Sequence, residues 1–64
     1  MATPTGERIR AARLAKKLQQ AQLARRVGVD QGQLSRMERG LARIDVERLK
    51  RLAKALSIPA RDLL

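Results

Sequence analysis

Wound at about 100° per residue, the stretch QGQLSRMERG at positions 31–40 sorts its side chains by type. Leu34 and Met37 fall on one side, and Gln31, Gly32, Ser35, Arg36 and Arg39 fall on the other. Amide, hydroxyl and guanidinium groups on one helix face offer directed hydrogen bonds, and a glycine among them lets another molecule come close. This is the chemistry of recognition, since a merely solvated face would more typically alternate Glu and Lys. Covalent catalysis lacks its parts. The chain has no His and no Cys, and Ser35 and Ser57 have no candidate base at a recognisable spacing, so an enzyme is not expected. A Cys/His zinc site is excluded on the same count, and neither a metal nor a cofactor is expected.

The charge balance says what such a face would meet. Fifteen Lys and Arg against six Asp and Glu give a formal charge of +9. The excess is uneven: residues 1–44 hold ten basic and three acidic side chains, residues 45–64 five and three. Such a field favours a polyanion, whether DNA, RNA or an anionic membrane. No apolar run approaches the length of a membrane span, and the N-terminal MATPTGERIR lacks the apolar middle of a signal peptide. A cytoplasmic protein without a membrane partner is expected.

Short helices must position these groups, because β-branched residues are few and never alternate over a run. With 64 residues and no Phe, Tyr or Trp, the core must be aliphatic and the helices closely packed. All the obvious apolar residues fit inside such a bundle. A first helix over 4–16 starts at Thr3-Pro4-Thr5, where either threonine can cap, and runs through Ile9 and Leu14. The segment KKLQQAQLA has no Gly, Pro or good cap, yet its apolar phase breaks. Leu14 and Leu18 lie about 40° apart, as do Leu23 and Val27, whereas Leu18 and Leu23 would lie about 140° apart on one helix. The chain is therefore divided near residues 17–19, and a second helix is placed at 20–27 behind Gln19, a poor cap.

The next junction is better marked. Gly28 is a left-handed stop, Asp30 caps a third helix over 31–38, Val29 can pack on Leu34, and Gln33 stands where a capping-box partner would reach back to Asp30. Gly40 closes that helix. Asp45 caps a fourth over 46–56, with Ile44 and Leu49 as a staple pair and Leu49, Leu52, Ala53 and Leu56 as the buried stripe. A final turn over 60–63 follows Pro59. The expected fold class is all-α, a compact bundle of about five short helices forming one domain over 1–64.

Two short helices joined by a three-residue glycine turn match the helix-turn-helix unit. From Gly6 to about Leu63 the chain resembles the phage-repressor and Cro-like helix-turn-helix domains. The resemblance rests on Ile9 and Arg13, Gln20-Ala21-Gln22-Leu23-Ala24, Val27-Gly28-Val29, Leu34-Ser35, Glu38-Arg39-Gly40 and Leu52-Ala53-Lys54-Ala55-Leu56. It implies a five-helix bundle whose third helix enters the DNA major groove. Gln31 and Arg36 then become the best base readers, since Gln can bind adenine and Arg guanine through two hydrogen bonds each. Gln33 and Ser35 hold positions that touch bases or backbone in the family. Gly32 replaces a longer base-reading side chain, so that contact is lost or the backbone approaches closely.

The resemblance further implies phosphate contacts from Gln20 at the start of the second helix and from Arg43 in the following loop, with Arg39 and Lys17 as additions. It makes Arg13 both a partner of Glu38 and a residue facing the DNA backbone. Gly28, Asp30, Leu34, Glu38 and Gly40 take structural roles. Lys17 stands at a usual glycine, Gln19 at a usual Ser or Thr cap, and Ile44 at a usual proline. The expected function is a sequence-specific double-stranded DNA-binding module of the transcriptional-regulator type, a monomer or weak homodimer without a small-molecule ligand. The alternatives are a protein-interaction module, such as the antitoxin half of a toxin pair, or a non-specific nucleic-acid binder. RNA readers normally supply stacking aromatics, which are absent here.

Overall fold

The computed structural model describes residues 4–64. Among these, four α-helices and a closing 3₁₀ helix stand where five helices were expected: α1 Pro4–Ala15, α2 Gln20–Val27, α3 Gln31–Glu38, α4 Val46–Leu56, and 3₁₀ Ala60–Leu63. The boundaries follow the local signals closely. Of the two candidate caps for α1, Thr5 lies inside the helix and Thr3 lies outside the described residues.

Local chemistry sets the starts of α3 and α4. The Asp30 carboxylate accepts the Gln33 N–H at 2.8 Å, and Asp45 accepts the Arg48 N–H at 2.8 Å. Each bond satisfies one of the amide donors that a helix start leaves without a partner. The weak cap before α2 is reinforced from within the helix, where the Gln22 side chain accepts the Gln19 N–H at 2.8 Å. The expected return bond from the Gln33 side chain to Asp30 is not formed. That amide stays available.

A residue in the left-handed region follows each of the four α-helices within two positions. Gly28 (φ 86°) and Gly40 (φ 76°) were expected there, but Lys17 (φ 56°) and Ser57 (φ 58°) adopt the same conformation. After α1, Leu18 N–H donates to the Arg13 carbonyl at 3.0 Å and Lys17 N–H to the Leu14 carbonyl at 3.0 Å, the paired hydrogen bonds of a Schellman stop with lysine in glycine's place.

The core is aliphatic throughout. Ile9, Leu23, Val27, Leu34, Met37, Leu52, Leu56 and Leu63 are buried, and Leu18, Val29, Ile44 and Leu49 pack partly buried against them. Burying one such side chain fully contributes about 1.5–3 kcal/mol. α2 packs on α3 and α4, while α1 packs on α3 and the 3₁₀ helix. The first-helix stripe differs from expectation. Leu14 is 54% exposed, and the buried line of α1 runs Gly6, Ile9, Arg13. The break after α1 was placed correctly, although Leu14 is not the residue that marks its inner face. Nor do all the apolar residues go inside, since Leu41, Val46 and Leu64 are exposed as well.

Candidate nucleic-acid interface

α3 presents the two faces its sequence implies. Leu34 and Met37 are 0% and 1% exposed, whereas Gln31, Gly32, Arg36 and Arg39 are exposed and Gln33 and Ser35 half-buried. The Gly28 stop, Val29 and the Asp30 cap turn the chain from α2 into α3 within three residues, so the inner face is fixed by packing and the polar face is left outside.

Behind this face runs a polar chain joining three helices. Arg13 of α1 donates from Nε to Glu38 Oε2 at 2.7 Å and from Nη2 to Oε1 at 3.1 Å, and Nη1 donates to the Leu18 carbonyl at 2.9 Å. Gln20 of α2 donates from Nε2 to Glu38 Oε1 at 3.2 Å and accepts at Oε1 from Gln31 Nε2 at 3.4 Å. Gln31 is thereby tied back through Gln20 to a buried ion pair. Such a chain orients a surface amide without covering it.

The predicted phosphate residues divide. Arg13, Gln20 and Arg39 line one open cleft of about 570 Å³ between the first three helices, with Ser35 and Glu38 also in its wall. Arg39 also donates to the Ser35 carbonyl at 3.3 Å, which folds it back along α3. Lys17, on the turn after α1, and Arg43, in the loop before α4, are exposed outside this cleft. Arg13 makes the expected pair with Glu38: it is 8% exposed, and with its guanidinium held by Glu38 and Leu18 it links α1 to α3 from the wall of the cleft.

Two residues escaped the sequence reading. Arg10, exposed on α1 one turn before Arg13, lines the same cleft as Gln20 and Ser35. Its spacing of three from Arg13 was the available signal. Gly6 is buried where α1 meets the end of α3: a Cβ there would lie 2.5 Å from the Met37 carbonyl oxygen and 2.7 Å from that of Glu38. A glycine inside a helical stretch was its signal.

With the short α2, the glycine turn and the outward polar face of α3 in place, the sequence matches the family model described as Helix-turn-helix over residues 9–63. The chain belongs to the helix-turn-helix family. This helix-turn-helix chain is 48% identical over 54 residues to an uncharacterized transcriptional regulator in the ATPase CF(0) region of Rhodospirillum rubrum, over 84% of this chain and 50% of that protein. It thus spans about half the length of that curated relative. Among solved structures it is similar to the restriction-modification controller protein C.AhdI from Aeromonas hydrophila, with a TM-score of 0.92 and 36% identity over 95% of this chain and 92% of that one. It is also similar to the P22 c2 repressor in complex with a synthetic operator, with a TM-score of 0.88 and 40% identity over 97% and 94% of the two chains. The resemblance to phage-repressor helix-turn-helix domains holds over nearly the whole chain.

Proposed function

We propose that this chain is a sequence-specific double-stranded DNA-binding module of the transcriptional-regulator type, with α3 in the major groove. The observation that carries the reading is the exposed polar side of α3, where Gln31 and Arg36 stand free of the core on a helix anchored by Leu34 and Met37. Gln31 and Arg36 read base edges, Gln33 and Ser35 touch bases or the neighbouring backbone, and Gly32 admits close approach. Phosphates are held by Arg39, Lys17 and Arg43, by Arg10 on the rim of the cleft, and by Gln20. Because the Gln20 side chain is already bonded at both ends, its contact uses the free amide end of α2, whose first turn carries no acidic residue. The formal charge of +9 supplies the long-range attraction. The P22 c2 repressor's complex with an operator supports the same docking for this chain.

A second reading draws on the exposed Leu14, Leu41, Val46 and Leu64, which a protein partner could cover. One experiment separates the two. Binding sites are selected from a randomised duplex library near physiological salt. A short enriched motif is expected, and its symmetry reports whether one copy or two bind. Absence of any enriched motif, with affinity that collapses as salt rises, would overturn base reading and move the search to the apolar surface.

A further inference from the structure

Gly32 is a glycine without a backbone reason. Unlike Gly28 and Gly40, it sits in right-handed helix, at the second position of α3, where alanine is better by up to about 1 kcal/mol. The reason lies in the space around it. A Cβ on Gly32 would come within 3.1 Å of Asp30 Oδ1 and 3.6 Å of Arg36 Nη1. Helical side chains lean toward the N-terminus, so Arg36, four residues on, lies back over the first turn and brings its guanidinium beside the place a side chain at 32 would fill. That guanidinium takes part in no hydrogen bond or ion pair among the described residues. Asp30 is meanwhile engaged with the Gln33 N–H.

We infer that Gly32 is a specificity-determining residue by virtue of its missing side chain: it leaves open the slot from which Arg36 reads a guanine at the N-terminal end of α3. The inference rests on the DNA-binding reading above and deepens it. A methyl at 32 would touch Arg36 Nη1 at 3.6 Å and press on the Asp30 carboxylate at 3.1 Å, which must shift slightly, whereas a branched or longer side chain would occupy the slot itself. Positions 32 and 36 therefore do not act independently. Filling the first displaces the second from its base pair, and the preferred base changes where no contact with Arg36 has been altered chemically. The alanine variant separates space from helix propensity, since it removes the glycine while leaving most of the slot.

The test is site selection followed by affinity measurement for wild type, Gly32→Ala and Gly32→Val, each with and without Arg36→Ala, with circular dichroism melts to confirm folding. In the wild type, Arg36→Ala is expected to lower preference at one G·C pair by about 5- to 150-fold, the range of one two-bond base contact. In the Gly32→Val background the same substitution should change preference less than about 2-fold, because the contact is already gone. Gly32→Ala should keep the wild-type base. Should Gly32→Val not fold, Gly32→Leu, whose apolar side chain has good helix propensity and no base-edge hydrogen bond to offer, takes its place. An Arg36→Ala effect of equal size in both backgrounds would overturn the shared slot while leaving DNA recognition intact. A wild type that selects no motif would overturn the base reading itself and this inference with it.

Discussion

The guanidinium of Arg13 clasps the carboxylate of Glu38 across 25 residues of sequence, with bonds of 2.7 and 3.1 Å and side chains 10% and 3% exposed. The pair fastens the first helix to the end of the helix that carries the exposed polar face. Removing one partner strands a buried charge, which costs far more than the pair contributes. Glu38→Ala is therefore expected to destabilise the fold by about 3–5 kcal/mol, enough to unfold a domain of this size near room temperature. Arg13→Met combined with Glu38→Leu should recover most of that loss. Urea titrations followed by circular dichroism check both, and a Glu38→Ala loss under about 1 kcal/mol would contradict the clasp.

Close backbone approach at the same junction yields a second expectation. Gly6→Ala drives a methyl against the Met37 and Glu38 carbonyls, which are backbone atoms and cannot swing aside. Despite alanine's better helix propensity, the substitution should cost about 1–3 kcal/mol. The same change at a solvent-facing helix position would stabilise. A higher midpoint for Gly6→Ala than for the wild type would show that α1 and α3 stand further apart than the geometry has them.

What could be read from the residues divides along the same line between local and distant causes. Asp30, Asp45, Gly28 and Gly40 declare helix ends because capping and left-handed turns depend on a few adjacent residues. Leu14 and Arg13 were harder: periodicity counts leucine as inner and arginine as outer, yet Arg13 goes inside because Glu38 meets it there. The pair itself was legible only through family resemblance. Gly6 is explained by carbonyls more than 30 positions away, and Gly32 by a side chain one turn on whose position depends on a rotamer. The polar face of α3 was legible in full, since a helix that buries Leu34 and Met37 has no other way to turn.

Lys17 and Ser57 hold left-handed conformations that disfavour residues with a Cβ. The Schellman bonds around them, Leu18 to Arg13 and Ile58 to Ala53, both at 3.0 Å, keep them there. Lys17→Gly and Ser57→Gly should each relieve that strain, net of glycine's greater chain entropy, and stabilise by about 0.5–1 kcal/mol. Gly28→Ala should destabilise by about 1–2 kcal/mol although nothing lies within 4 Å of the added methyl, because the penalty is in the backbone alone. Thermal melts of the three variants test one cause in both directions.

The two arginines proposed for DNA make opposite predictions about what is lost. Arg36 lies on the exposed side of α3 and is the proposed base reader, so Arg36→Ala should cost about 1–3 kcal/mol on the selected site and relax the choice at one base pair, with little effect on scrambled duplex. Arg43 is exposed in the loop between α3 and α4, where the proposed docking gives it phosphate alone. Its replacement by alanine should weaken matched and scrambled duplex alike and reduce the slope of log affinity against log salt by about one. Titrations of both variants on both duplexes at several salt concentrations separate the roles. Equal losses on the two duplexes for Arg36→Ala would take base reading away from that residue, because a phosphate contact cannot distinguish one sequence from another.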